Sequence, residues 1–293
     1  MKSNVCTAYA STVIARKPNM SIPVSHLRQI IADLGSVGVA FSGGTDSTLL
    51  LALCRDVLGP ERVLALTVLS ELTPTAERER AAQLAHALGV RHIEVPFSAL
   101  AHPEMAANRP DRCYWCKRAT FGQLLDIVRA EGLSALVYGA HADDLGDYRP
   151  GLRAAEELGV RAPLLEVGLT KAEIRELSRQ LGLPTADLPP MACLASRIPY
   201  GTPLTPEALA RVDAAEEYLR REWGLRQVRV RDHFPLARLE VPEDDILRLA
   251  APPARREVAR RLRELGYRYV TLDLEGFRSG SLNPAEREIR NTG

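Results

Sequence analysis

Aromatic residues are scarce in this chain, 5% of its 293 residues, and the formal net charge is only +1. A surface that holds nucleic acid needs basic charge and rings for stacking, so no nucleic-acid partner is expected. No stretch reaches the roughly 18 consecutive apolar residues of a membrane span, so no membrane partner is expected either. Residues 1–20 hold no long apolar run, which argues against a cleaved leader. Cysteine is limited to Cys6, Cys54, Cys113, Cys116 and Cys193. An odd count in a chain of this size does not make a secreted disulfide framework, and a reducing, cytoplasmic setting is the simplest reading. Two nucleotide signatures are also missing. No Gly-Lys-Ser/Thr follows a glycine loop at Walker spacing, and no third glycine completes a dinucleotide fingerprint.

The chain does have the composition of a globular protein. Hydrophobic residues make up 46% and charged residues 26%, which supplies a buried core, and the length suits two domains. Hydrophobic periodicity predicts helices over 21–34, 46–58, 74–88, 111–131, 151–158 and 170–181, separated by strands over 36–41, 63–69, 91–97 and 135–139. The strands are continuous apolar runs, as in a parallel sheet covered on both faces. Strands alternating with helices give an α/β fold with a doubly wound parallel sheet. Residues 1–185 are assigned to this domain. Residues 186–205 are rich in proline and small residues and are read as a functional cysteine loop. Residues 206–293 carry a helix over 206–222, strands over 226–233 and 236–241, helical segments over 243–265 and a strand over 268–274. They form a small C-terminal α+β domain.

The strongest local signal is Ser42-Gly43-Gly44-Thr45-Asp46-Ser47, set between a strand and a helix. Glycines let the main chain turn tightly against a ligand, and the helix that follows presents N–H groups and a positive dipole end to anions. Ser42, Ser47 and Thr48 add hydroxyls. The Asp46 carboxylate would be repelled by phosphate, so it is assigned to Mg²⁺ or to capping the helix. Gly139 closes the fourth strand and is a further cofactor-site candidate. Asp143, Asp144 and Asp147 follow it at the carboxyl edge of the sheet, where such folds bind ligands. They would hold Mg²⁺ or orient Tyr148 and Arg149; the alternative is a solvated acidic turn.

Arg112-Cys113-Tyr114-Trp115-Cys116-Lys117 opens a helix and places two thiols within reach of one metal or of each other. A single Cys-x-x-Cys cannot close a four-cysteine zinc site. Cys54 lies inside an apolar helix and should be inert. Scattered structural thiols, a redox pair, and convergence of Cys113, Cys116 and Cys193 on the nucleotide site all remain open readings. Lys117 and Arg197 are candidates for phosphate or adenylate contacts. Arg229, Arg231 and His233 alternate with Val228 and Val230, which predicts a basic strand face suited to phosphate, or else an ordinary exposed face. His86, His92 and His102 show no ligand spacing and are expected at the surface.

The SGGTDS loop resembles the signature of the PP-loop ATP pyrophosphatases, a HUP-type, adenine-nucleotide alpha hydrolase-like fold. Such enzymes activate an oxyanion as its AMP ester and release pyrophosphate. With RCYWCK, ADDLGDYRPG and CLASRIPYGTPLT following in order, the chain resembles the LarE family from about residue 20 to 280. That resemblance implies an ATP- and Mg²⁺-dependent sulfur transferase of nickel-pincer cofactor biosynthesis. Its substrate would be a pyridinium-3,5-dicarboxylate mononucleotide, whose carboxylates become thiocarboxylates. Some members take sulfur from one cysteine, which becomes dehydroalanine, and Cys193 matches that position. Others hold a 4Fe-4S cluster on three cysteines, with sulfide or another sulfur donor supplied, and Cys113, Cys116 and Cys193 match that pattern. The cluster-dependent reading is the one taken here. The resemblance also adds Glu217 to the substrate contacts of Arg229 and Arg231, and implies a closed homo-oligomer such as a hexamer. A PP-loop tRNA thiolase is the rival, which the near-neutral charge and few aromatics disfavour.

Overall fold

The computed structural model describes residues 22–146, 150–190 and 192–278. Its longer elements are α1 (Ile22–Leu34), β1 (Val37–Ala40), α2 (Thr45–Leu58), β2 (Val63–Leu69), α3 (Thr75–Ala87), β3 (Arg91–Pro96), α4 (Arg112–Ala130), β4 (Ala135–Tyr138), α5 (Pro150–Glu157), α6 (Lys171–Gln180), α7 (Pro206–Trp223), β5 (Arg229–His233), β6 (Leu236–Glu240), α8 (Glu243–Ala250), α9 (Ala254–Glu264) and β7 (Tyr269–Leu272). Among the described residues no helix is long and apolar enough to cross a membrane.

The chain divides into two compact units. In the first, four strands pair in the order β3-β2-β1-β4, all parallel. Alternate residues of each strand face opposite sides. Val37, Val39, Val63, Ala65 and Val137 pack with Leu27 and Ile31 of α1, with the apolar run Leu49–Leu53 of α2 and with Ile174 of α6. Leu64, Leu66 and Leu136 pack instead with Phe121, Leu124 and Val128 of α4 and Ala155 of α5. Helices therefore cover both faces, the doubly wound arrangement that continuous apolar strands require. The edge strand β3 departs from that pattern, with only Val95 buried.

The second unit holds a three-stranded sheet, β5-β6-β7, with β5 and β6 antiparallel and β6 and β7 parallel. Val230, Ala237 and Leu239 pack under Ala215 and Leu219 of α7 and Val258 and Leu262 of α9. Thr205 caps α7 by accepting from Ala208 N at 3.2 Å, with Pro206 at the first helical position, and Gly224 ends it in the left-handed region. The units do not follow a single cut in the sequence. The first ends at Pro190, and the short segments Glu71–Pro74 and Ser98–Arg112 fold with the second. The assignment of all of residues 1–185 to one domain therefore needs revising, because contacts that cluster these two loops with later residues leave no periodic mark in the sequence.

Candidate active site

The site of the first unit begins where β1 ends. Thr67 Oγ1 donates to Phe41 O at 2.8 Å, fixing the last residue before the loop. Gly43 then turns at φ +69°, and an added Cβ would lie 3.0 Å from Ala81 Cα on α3. Only glycine meets both conditions without strain. Ser42 Oγ and Ser47 Oγ lie 3.1 Å apart, Gly44 N donates to Ser42 Oγ at 3.3 Å, and Arg80 Nε donates to Gly43 O at 3.0 Å. The loop is thus laced to itself and to α3. No side chain caps α2, so by helix geometry its first-turn N–H groups have no intrahelical acceptor and face the loop. Anions bind such helix ends.

The other walls come from the ends of β4 and α6. A Cβ on Gly139 would sit 3.0 Å from both the Asp46 carbonyl carbon and Ser47 N, so the strand end packs directly on the first turn of α2. Lys171 Nζ meets the two Asp46 oxygens at 2.5 and 2.7 Å, and Lys171 N donates to Asp143 Oδ2 at 2.8 Å. A Thr170–Glu173 capping box sets the start of α6 and hence this lysine. Thr45 Oγ1 donates to Thr185 O at 2.7 Å. Asp144 is buried and accepts from His141 N at 3.0 Å. Lys117 Nζ lies 4.4 Å from the Phe121 ring centre and 5.6 Å from that of Tyr138. Burial, and then the charge of Asp144, push the Tyr138 phenol up to about 12.

On α4, Cys113 and Cys116 are half-buried and, three residues apart, share a helix face. Cys54 is fully buried, and burial pushes its thiol up to about 12, leaving it unreactive. Among the described residues no three His, Cys, Asp or Glu side chains are gathered to hold a metal ion.

In the second unit, half-buried Cys193 precedes a turn of 3-10 helix, Leu194–Arg197. Its carbonyl accepts from Ser196 N at 3.0 Å, Ser196 Oγ at 2.9 Å and Arg197 Nη1 at 3.1 Å. Arg197 and Glu216 are both fully buried and pair through two contacts of 2.8 Å; Glu216 also accepts from Val230 N at 3.0 Å and from Arg220. Burial works to raise the Glu216 carboxyl, but Arg197, Arg220 and Arg229 together hold it below its ordinary value. Arg231 donates to Ser196 O at 2.7 Å and to Glu240 at 2.6 Å. Arg229 is held down to about 10 by burial first and then by Arg197, with Arg220 and Arg231 adding to it and Glu216 opposing.

A family model described as NAD synthase matches residues 21–109. An uncharacterized protein of Synechocystis is 42% identical over 260 residues, 89% of this chain and 96% of its own length. The pyridinium-3,5-bisthiocarboxylic acid mononucleotide synthase of Lactiplantibacillus plantarum is 42% identical over 253 residues, 86% of this chain and 91% of its own. The chain belongs to the LarE family. It is a PP-loop enzyme that uses ATP. The ammonia-dependent NAD⁺ synthetase of Pyrobaculum aerophilum is 31% identical over 172 residues, 55% of this chain and 62% of its own.

Within this LarE-family chain the structure brings Ser42, Gly43, Gly44, Asp46, Ser47, Gly139 and Asp143 together around the loop. Thr48 differs from expectation: it is fully buried, and its hydroxyl has no hydrogen-bond partner among the described residues. Asp147, with Tyr148 and Arg149, lies outside the described residues. The expectations for three arginines also require correction. Arg197 was to reach phosphate or adenylate, but its guanidinium is buried against Glu216 and the Cys193 carbonyl, so it organises the cysteine turn. Arg229 and Arg231 were to line an open basic face, but both are buried, because the face of β5 away from the valine core is itself covered. Glu217 is half-buried on α7, beside the buried Glu216 that sequence reasoning passed over. Its signal was present, since Glu216 stands among Val212, Ala215 and Leu219 with Arg220 four residues on. Lys171 was missed as well, although Thr170-x-x-Glu173 marks a helix start next to it. Nothing in the sequence pointed to Arg80. His92 is half-buried rather than at the surface, its Nε2 lying 2.8 Å from Thr67 Oγ1.

Proposed function

We propose that this enzyme adenylates the carboxylates of a pyridinium-3,5-dicarboxylate mononucleotide and converts them to thiocarboxylates. The observation that carries the first half is the Ser42–Ser47 loop, laced to α3 and opposed by Lys171. A carboxylate oxygen attacks the α-phosphorus of ATP, pyrophosphate leaves, and an acyl adenylate forms. The N–H groups at the start of α2 and the Lys171 ammonium favour the charge carried by the departing pyrophosphate. Asp46 would share Mg²⁺ with the phosphates. One protein carboxylate beside substrate oxygens is a usual protein share for that ion, and Lys171 is the cation that occupies this carboxylate in the structure.

Sulfur then displaces AMP at the acyl carbon. With Cys193 as donor, its thiolate attacks, AMP leaves and a thioester results. Loss of the cysteine Cα proton and cleavage of Cβ–S then yield the thiocarboxylate and dehydroalanine. The cluster-dependent reading rests on Cys113, Cys116 and Cys193 matching the three-cysteine pattern. The described residues gather no three-ligand set, so no step is routed through a 4Fe-4S cluster here. Glu217, half-buried on α7, is kept as the further substrate contact that the family resemblance implies. A closed homo-oligomer is part of the same reading.

The test is anaerobic purification with iron and sulfide analysis, pyrophosphate release with the dicarboxylate mononucleotide, and mass spectrometry of Cys193 before and after turnover. Bound iron with intact Cys193 supports the cluster; dehydroalanine at 193 without iron supports sacrifice. Absence of pyrophosphate release with that substrate overturns the proposal, and release with a tRNA instead would favour a thiolase.

A further inference from the structure

The segment Ser98–Arg112 folds within the second unit, the unit that also holds the Cys193 turn. Asn108, near its end, is the single non-glycine residue with positive φ among the described residues, at +52°. Side chains adopt that conformation rarely, asparagine more readily than most. Asn108 is also fully buried, and each of its polar side-chain atoms is engaged. Nδ2 donates to Ile198 O at 3.2 Å and to Pro199 O at 2.9 Å, while Oδ1 accepts from Arg112 Nη1. Its own carbonyl accepts from Gly201 N at 3.0 Å, and Leu204 N donates to Ala106 O at 2.7 Å. Arg112, itself buried, lies 5.4 Å from the Tyr200 ring centre.

These contacts hold the chain immediately after the Cys193 turn. The start of the turn is held separately, since Leu194 N, directly after Cys193, donates to Leu72 O at 2.9 Å. Four residues, Leu194–Arg197, thus run between two fixed points, with Arg197 and Ser196 gripping the Cys193 carbonyl from inside. A left-handed, buried, fully bonded asparagine persists only where its surroundings over-determine it, and such residues cluster where geometry matters to chemistry.

We infer that Asn108 is a positioning residue for sulfur transfer, which clamps the Ile198 and Pro199 carbonyls so that Cys193 presents its sulfur in one fixed place. The inference rests on the reading of Cys193 as the sulfur-handling residue. Asn108 does not touch the reacting atoms and has no part in adenylation.

The test uses two variants of the full chain. Asn108→Asp keeps the shape and the acceptor for Arg112 but turns the two donors into an oxygen facing two carbonyls. Asn108→Gly is at ease at positive φ and removes the clamp while keeping the turn, so it carries the test should the aspartate variant not fold. Pyrophosphate release, single-turnover thiocarboxylate formation and alkylation of Cys193 by iodoacetamide, read against Cys113 as internal comparison, are measured on each. The expected result is pyrophosphate release within about twofold of the parent, thiocarboxylate formation down about tenfold or more, and a Cys193 alkylation rate shifted by about threefold or more. Unchanged thiocarboxylate formation, or a loss that only follows pyrophosphate release and melting temperature, overturns the inference. Cys193→Ala runs in parallel. If that variant still forms thiocarboxylate at the parent rate, the role of Cys193 fails, while the alkylation shift still reports whether Asn108 positions the thiol.

Discussion

Gly43 combines two requirements that no other residue meets, a backbone at φ +69° and room for nothing larger than hydrogen 3.0 Å from Ala81 Cα. A Cβ there costs about 1–2 kcal/mol for the left-handed backbone alone, before the contact with α3 is relieved. Gly43→Ala should therefore leave the chain folded, displace the loop and cut ATP-dependent pyrophosphate release by about tenfold or more. Equal rates for parent and variant would show that the loop does not carry the phosphates. Lys171 permits a second test at this scale. It is the cation at Asp46, with both side chains mostly buried, at 27% and 24% exposure. Lys171→Met should reduce the rate of pyrophosphate release by about a hundredfold, as the loss of a charge aimed at a leaving group does. If only stability changes, Lys171 is a structural ion pair and nothing more.

Single elements were the most legible part of this chain. The strand over 63–69 has the expected ends, and the other expected helices and strands lie within a few residues of their places, whereas the short helices Pro103–Ala106 and Pro163–Glu166 carry no such signal. The loop was legible too, since a glycine pair between an apolar strand and a helix has few other uses. What escaped were polar side chains engaged inside the protein. Glu216, Asn108 and Arg112 are buried by partners distant in sequence, and β5 looks like an exposed alternating strand until its outer face is found covered. Capping lies between these cases, because its signal is local. The box of Thr170 and Glu173 starts α6, and its loss should release Lys171 as well as weaken the helix. Thr170→Ala is expected to lower stability by about 1 kcal/mol. Thr205→Ala, at the start of α7, should cost a similar amount by the same principle. Chemical denaturation measures both, and only the Thr170 variant should also slow pyrophosphate release. Equal effects of the two on that rate would separate α6 from the site.

For the molecule as a whole, burial leaves a pH signature. His92 is held below its ordinary value of 6.5, chiefly by burial, with Glu94 opposing. His233 is also held below 6.5, by burial first and then Arg238, with Arg231 adding and Asp232 and Glu240 opposing. Such a group binds its proton more readily in the unfolded chain. Its contribution to stability is therefore complete above 6.5 and lost as the pH falls below that value. Glu166 and Glu173 lie below their ordinary 4.5, the first mainly through Arg161 and the second mainly through the Thr170 backbone. A depressed carboxyl has the same sign in a lower window, with stability present above 4.5 and lost as the pH falls further. The melting temperature should thus fall in two stages on acidification, one below neutrality and one below the ordinary carboxylate range. His92 accounts for part of the first stage. Thr67 Oγ1 already donates to Phe41 O, so the ring must act as donor to Thr67 through Nε2–H. His92→Gln can supply that donor without titrating. The variant should melt near the parent at pH 7.5 and fall less steeply between pH 6.5 and 5, with the second stage unchanged. Parallel melting curves across that window would show that His92 gives up its burial at no cost on protonation, and that the edge strand β3 opens there before the rest of the sheet.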